Sequence, residues 1–129
     1  KVVVLMIGTN NVGHFLHRPA DEAAIDGIAR GIKAILDFVR EKAPHAKVVL
    51  MGITPRNANG EPKLMPAIAQ ITARLATFAD GESVIYLNIN DKLADAEGKL
   101  VPGVTEDGLH LSVEGYQIWA NALKPHFTR

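Results

Sequence analysis

Three stretches of the chain are almost unbroken runs of apolar and β-branched residues. They read "KVVVLMIG" at residues 1–8, "KVVLMGITP" at residues 47–55 and "SVIYLNI" at residues 83–89. A strand covered on both faces has this composition, because neither face needs polar side chains for the solvent. Each run therefore predicts a strand that lies buried within a parallel sheet.

The segments between and after these runs have apolar residues at helical spacing. Residues 21–43 carry isoleucine, leucine and valine three or four positions apart, and Asp21 is a suitable N-cap. Residues 66–80 repeat the spacing, with Pro66 at the first helical position. A last helix is predicted after Ser112, and its buried face would carry Tyr116, Trp119 and Leu123.

The alternation of strands and helices predicts the α/β class. Strands joined by helices form right-handed crossovers, so the sheet is parallel and has helices on both faces. We therefore expect a three-layer αβα, flavodoxin-like domain that spans residues 1–129. Gly27 and Gly31, about one helical turn apart, predict that the first long helix approaches the sheet closely. Ligands of such sheets bind in the loops beyond the carboxyl ends of the strands, and the chemistry is expected there.

Composition and charge narrow the possible partners. Of the 129 residues, 47% are hydrophobic and 22% are charged, which is ordinary for a globular domain. Acidic and basic residues are equal in number, and no basic stripe or patch indicates nucleic acid or a membrane surface as a partner. The longest apolar run is far shorter than the roughly 18 residues of a membrane span. The absence of cysteine excludes disulfides and thiolate metal sites.

The stretch "VTEDGLHLSVEGY" places Asp107 three positions before His110. A carboxylate bonded to the Nδ1–H group of a histidine fixes the tautomer, directs Nε2 outward and stabilises the imidazolium that forms on proton uptake. The same letters also describe a plain turn formed by Asp107 and Gly108. The pattern is short, so both interpretations stay open when it is considered alone.

The stretch "GTNN" follows the first predicted strand and contains Gly8 and Asn10. The side-chain amide of asparagine is an uncharged N–H donor, which suits an oxyanion that develops only in a transition state. Glycine and asparagine are also the usual residues of a turn after a strand. Turn formation is therefore the alternative interpretation of this stretch.

Taken together, "GTNN" and "DGLHLSVEGYQIWANAL" resemble the SGNH hydrolases, also called the GDSL lipase/acylhydrolase family. The resemblance covers essentially the whole chain. It implies that Asn10 donates to an oxyanion hole and that Asp107 and His110 are the acid and base of a catalytic triad, with Gly8 as a packing residue. The implied reaction is hydrolysis of a small-molecule ester by a serine nucleophile, without a metal or another cofactor.

The nucleophile of this family is a serine in a G-D-S motif, and that motif is absent from the chain. The two serines are Ser83, at the start of a predicted strand, and Ser112, just before a predicted helix. Ser83 is expected at the wrong end of its strand, and Ser112 is expected to cap the helix. We therefore expect the nucleophile, its strand and its turn upstream of Lys1. This missing N-terminal segment would be a partner of the chain, which alone would be inactive.

Further polar residues on the same edge are secondary candidates. Asn11 and Arg56 are candidate substrate contacts, although a surface role for the arginine is an equal alternative. His14 and His17 could form half of a metal site completed by Asp107 or His110, but histidines three apart in a loop hold no fixed geometry. Solvated or substrate-lining imidazoles are favoured. The rival function is a non-catalytic, flavodoxin-like domain for ligand binding or assembly.

Overall fold

A computed structural model gives the structure of the chain and describes residues 1–127. In this part of the chain, three strands form one sheet in the order β1-β2-β3. They are β1 (Val2–Leu5), β2 (Lys47–Met51) and β3 (Val84–Leu87). Both neighbouring pairs are parallel. The predicted strands and the predicted α/β class are confirmed, although each strand is shorter than its apolar run.

Helices occupy most of the segments between and after the strands. They are α1 (Thr9–Gly13), α2 (Glu22–Lys42), α3 (Met65–Ala76), α4 (Asn90–Leu93) and α5 (Val113–Phe127). The three long helices were predicted. Asp21 caps the first of them, because its side chain accepts a hydrogen bond from the Ala24 N–H at 2.8 Å. The two short helices lie in segments that were expected to be loops. They could not be predicted, because four or five residues are too few to give a periodic pattern.

The sheet divides the core into two layers of apolar contacts. Side chains alternate along each strand, so Val48 and Leu50 of β2 face one layer of helices while Val49 and Met51 face the other. The first layer is built by α2 and α3, and the second by α5 with the segment that precedes it. This is the three-layer αβα arrangement that the order of elements predicts.

Strand β1 differs from the expectation of a strand buried on both faces. All four of its residues are only half-buried, because β1 is at the edge of the sheet and pairs with β2 alone. One open, apolar groove lies beside α5 against a face of β1, and a second groove lies beside α2 just past the carboxyl end of β1. Met6, Ile28 and Ile35 are among the residues that line the groove beside α2. Val4, Met6 and Trp119 are among those that line the groove beside α5.

Two packing predictions near these grooves are wrong. A Cβ atom placed on Gly27 or Gly31 would meet no atom within 4 Å, so these glycines do not mark a close approach of α2 to the sheet. Tyr116 is 54% exposed and stacks on the Trp119 ring with centroids 6.1 Å apart. The buried face of α5 is carried by Leu123, with Trp119 partly buried beside it. Both errors have one cause: β1 has no strand on its outer side, so Gly27, Gly31 and Tyr116 line open grooves instead of packing against a neighbour.

Candidate active site

The loops that follow the three strands meet at the carboxyl edge of the sheet, as the parallel topology requires. Side chains and backbone of these loops bond to one another. Asn90, at the start of α4, donates from its amide to the carbonyl oxygen of Ile53 at 2.8 Å. The Asn57 N–H donates to the carbonyl oxygen of Gly108 at 2.9 Å. The edge is therefore one connected surface that carries the candidate residues.

Gly8 sets the path of the chain from β1 into α1. Its φ is +119°, a conformation that side-chain-bearing residues rarely adopt, and a Cβ atom there would lie 2.8 Å from Cδ1 of Ile53. Helix α1 begins at once, with the Val12 N–H donating to the Gly8 carbonyl at 3.0 Å. Asn10 and Asn11 are consequently in the first turn of a short helix, and both are exposed at the edge.

Asp107 and His110 are in direct contact. Oδ2 of Asp107 lies 2.6 Å from Nδ1 of His110. The other carboxylate oxygen, Oδ1, accepts hydrogen bonds from the N–H groups of Leu109 at 3.0 Å and His110 at 2.7 Å. Because a carboxylate only accepts, the imidazole carries a proton on Nδ1, and in the neutral imidazole Nε2 is then the nitrogen with a free lone pair. Both interpretations of the D-x-x-H pattern therefore describe the structure, one for each oxygen.

These contacts hold Asp107 in its ionised form. The hydrogen bond with the His110 side chain is the largest cause, and the backbone N–H groups of His110 and Leu109 add to it, so that the pKa of Asp107 lies well below its ordinary value. The side chains of His110 and Asp107 are 71% and 53% exposed. A group that approaches from the solvent can therefore reach the imidazole, while its carboxylate partner stays charged through mildly acidic pH.

The two serines are engaged away from this contact. Ser83 lies at the amino end of β3, where its hydroxyl donates to Oδ2 of Asp80 at 2.6 Å. Ser112 caps α5, since its hydroxyl oxygen accepts a hydrogen bond from the Gly115 N–H at 3.2 Å. The predicted position of Ser83 at the amino end of its strand and the predicted cap by Ser112 are confirmed.

Arg56 and the loop histidines occupy the same edge. Arg56 is half-buried, and Nη1 donates to the carbonyl oxygen of Thr9 at 2.8 Å. His14 begins a 3₁₀ turn after α1, and His17 follows that turn. Within residues 1–127, no group of three or more potential ligands among histidine, aspartate and glutamate could hold a metal ion. The histidines are therefore not gathered with Asp107 or His110 into a metal site.

Asn57 is a residue of this edge that the sequence did not single out. Its side chain accepts from the Leu100 N–H at 3.0 Å and donates to the Gly98 carbonyl at 3.1 Å. Its position beside Arg56, in a loop after a strand, was the available signal. The turn-rich composition of "NANGEP" hid that signal, because asparagine is common in turns for purely local reasons.

None of the helices described in residues 1–127 has both the length and the apolarity to cross a membrane.

Comparison with known proteins connects this geometry to a family. The profile of the GDSL-like Lipase/Acylhydrolase family matches residues 1–118. The chain is 32% identical over 124 residues to the platelet-activating factor acetylhydrolase IB subunit alpha1 of Homo sapiens, an alignment covering 95% of this chain and 49% of that protein. It is 30% identical over 117 residues to the alpha2 subunit of Gallus gallus, covering 90% of this chain and 47% of that protein.

Solved structures agree with the sequence comparison. The crystal structure of a GDSL-like lipase from Bacteroides thetaiotaomicron superposes with a TM-score of 0.74 at 25% identity, covering 97% of this chain and 60% of that one. In the sequence comparison, the chain spans about half the length of the curated relatives it matches, and 49% of the human subunit. With the family profile matched over residues 1–118, the chain belongs to the GDSL-like lipase/acylhydrolase family.

Proposed function

We propose that this chain supplies the general base, the acid that orients it and one oxyanion-hole donor of a serine ester hydrolase. The observation that carries the proposal is the 2.6 Å contact between Oδ2 of Asp107 and Nδ1 of His110 at the carboxyl edge of the sheet. Membership of an acylhydrolase family makes ester chemistry the natural use of that contact.

The proton moves through His110. Its unprotonated Nε2 takes the proton of a serine hydroxyl as the serine oxygen attacks the ester carbonyl, and the resulting imidazolium is stabilised by the ionised Asp107. His110 then gives that proton to the alkoxide that leaves. A water molecule repeats the sequence on the acyl-enzyme: His110 takes its proton, and the serine recovers one when the acid departs.

Asn10 is the proposed donor to the oxyanion. As the carbonyl becomes tetrahedral, its oxygen gains negative charge that an amide N–H can stabilise without a charge of its own. Exposure of Asn10 in the first turn of α1, at the edge that carries His110, supports this role. Loss of one such donor lowers the rate by about 10²–10³-fold in enzymes of this type.

The serine is proposed to come from a segment of the protein outside this chain. Ser83 and Ser112 both have structural partners, which supports an external nucleophile. The free edge of β1 is the proposed place where a further parallel strand would pair. β1 and β3 both lack a neighbour on one side in residues 1–127, but only β1 has no fully buried residue. The apolar groove beside α5, which Val4 and Met6 line, would receive side chains of that strand.

The proposed substrate is an ester with a small acyl group. The human relative is named an acetylhydrolase of platelet-activating factor, which supports an acyl group of acetyl size. Asn11 is a candidate contact for the substrate, and the proposal needs no metal or other cofactor.

Covalent labelling tests this function against that of a non-catalytic binding domain. A fluorophosphonate should label one serine of the complete protein, because it needs an activated hydroxyl. His110→Ala should abolish the labelling and the hydrolysis of p-nitrophenyl acetate, whereas His45→Ala, an exposed histidine before β2, should change neither. A folded complete protein that is not labelled, or a His110→Ala variant that keeps full turnover, would contradict the proposal.

A further inference from the structure

The loop after β2 reaches towards the loop after β1 through Arg56. The guanidinium donates from Nη1 to the Thr9 carbonyl at 2.8 Å, and this carbonyl belongs to the peptide that joins Thr9 to Asn10. The guanidinium also packs against the α-carbon of Gly13, where a Cβ atom would lie 2.7 Å from Nη1. Arg56 therefore holds both ends of α1, the short helix that carries Asn10.

The next residue, Asn57, reaches in the other direction. Its side chain bonds to Gly98 and Leu100, as described above, and its backbone N–H donates to the Gly108 carbonyl at 2.9 Å. Gly108 follows Asp107 directly and has a φ of +85°, and a Cβ atom there would lie 2.9 Å from the carbonyl oxygen of Asn57. The turn that contains Asp107 therefore rests on the backbone of Asn57.

The chain on either side of this dipeptide has little freedom to move. Pro55 precedes Arg56 and is buried, and its ring fixes its own φ. After Asn57 the chain closes a tight turn, in which the backbones of Ala58 and Glu61 bond to each other twice at 2.9 Å. A short, restrained dipeptide transmits position well, because few rotatable bonds separate its two sets of contacts.

We propose that Arg56 and Asn57 are positioning residues that together set the separation between the Asn10 amide and the His110 imidazole. This inference rests on the proposed function, since it assigns these residues to the same site. It differs from the expectation that Arg56 contacts substrate, because Arg56 acts through the backbone of Asn10. The Asn57 side chain, through its bonds to Gly98 and Leu100, fixes the Asn57 backbone, whose N–H holds the Gly108 carbonyl in the turn that carries Asp107.

Steady-state kinetics of the complete protein with p-nitrophenyl acetate distinguishes a positioning role from a direct substrate contact. Arg56→Met and Asn57→Ala should each lower kcat roughly 10- to 100-fold, because a displacement of about 1 Å has effects of that size, and KM should stay unchanged. Arg74→Met is the matched control: Arg74 also donates to a backbone carbonyl, that of Gln70 at 3.1 Å, but on α3, and kcat should stay at the parent value. A raised KM with unchanged kcat in Arg56→Met would overturn the inference in favour of a substrate contact.

Double variants show through which residue each positioning residue acts. In an Asn10→Ala background, Arg56→Met should cost little more, while Asn57→Ala should keep its full effect. In an Asp107→Asn background the pattern should reverse. If the separate losses of kcat simply multiply in all four double variants, the inference is overturned. If Asn10→Ala and Asp107→Asn themselves leave kcat unchanged, it is the proposed function that fails.

Gly13→Ala provides a test that does not depend on Arg56→Met folding well. Gly13 has helical backbone angles, with φ −57°, so alanine fits the backbone there. Its methyl group would displace the end of the Arg56 side chain, which supplies the three atoms nearest to it. We expect kcat to fall as in Arg56→Met, with no loss of melting temperature, and a parent kcat in Gly13→Ala would contradict the role of Arg56.

Discussion

Asp107 combines two tasks that its short sequence motif left as alternatives. Oδ1 accepts the N–H groups of Leu109 and His110 and so forms the turn, while Oδ2 lies 2.6 Å from the imidazole of His110. A turn residue places its side chain within three residues of its own backbone, so the turn itself brings the carboxylate to the histidine. The dyad therefore needs no distant part of the fold to form.

This division of tasks between the two oxygens predicts different results for two substitutions. Asp107→Asn can keep the carbonyl oxygen in the turn, but its NH₂ group faces Nδ1 and favours the tautomer with the proton on Nε2. We expect kcat to fall about 10³–10⁴-fold with little change in melting temperature. Asp107→Ala should lower both, since it also removes the two turn bonds.

Asp95→Asn is the matched control for Asp107→Asn. Asp95 also accepts two backbone N–H groups, those of Glu97 at 2.9 Å and Lys99 at 3.0 Å, but has no histidine partner among the described contacts of residues 1–127. Kinetics and thermal unfolding of the complete protein should show a parent kcat for this variant. Equal losses of kcat in Asp95→Asn and Asp107→Asn would mean that the tautomer is not what matters.

The junction of β1 and α1 is the element that places Asn10. A strand ends at Leu5 and a helix begins at Thr9, so the chain must change direction within three residues. Gly8 allows this with a φ of +119° and with space for the Ile53 side chain where a Cβ atom would be. The role of Gly8 as a packing residue follows from that contact.

Gly8→Ala is expected to damage both stability and activity. The backbone conformation disfavours any Cβ atom, and the added methyl group would also meet Ile53, so we expect a loss of about 1–3 kcal/mol in the free energy of unfolding. Asn10 should move with the helix, and kcat should fall. Gly81→Ala is the control, because Gly81 has a φ of +79° with no atom within 4 Å of a Cβ position, and it precedes β3 at the opposite edge. It should lose stability but keep kcat.

On the scale of the whole molecule, β1 is one of the two edge strands of the three-stranded sheet, and the one without a fully buried residue. Its four residues are half-buried, whereas those of β2 from Val48 to Met51 are fully buried. An apolar strand with an unpaired edge pairs readily with another strand. The proposed segment that carries the serine would cover this edge in the complete protein.

The isolated 129-residue chain is therefore expected to behave differently from the complete protein. It should self-associate in sedimentation experiments and bind an apolar dye, and Val4→Lys should weaken the association, since a charge at the groove beside α5 disfavours pairing. The complete protein should do neither. If the isolated chain is folded and monomeric and binds no dye, the proposal that a further strand pairs with β1 is contradicted.

Much of this architecture could be predicted from the spacing of apolar residues. Runs such as that of β2 and the periodic isoleucines of α2 encode burial locally, and alternation of strands with helices restricts the topology to few choices. The same locality explains why Asp107 and His110 could be paired before the structure was known. Dependence on local spacing also explains the error at Tyr116. Apolar residues at helical spacing predict an apolar face of the helix, but not whether another element covers that face.

The contacts of Arg56 and Asn57 required the folded chain. Each bonds to a residue about 40 to 50 positions away, at distances of 2.8 to 3.1 Å, and no local pattern records such a pairing. Local rules are set by bonds between near neighbours, so they appear in the sequence as spacing and composition. Contacts between loops depend instead on where the strands place their ends, and that position is a property of the packed sheet and helices as a whole.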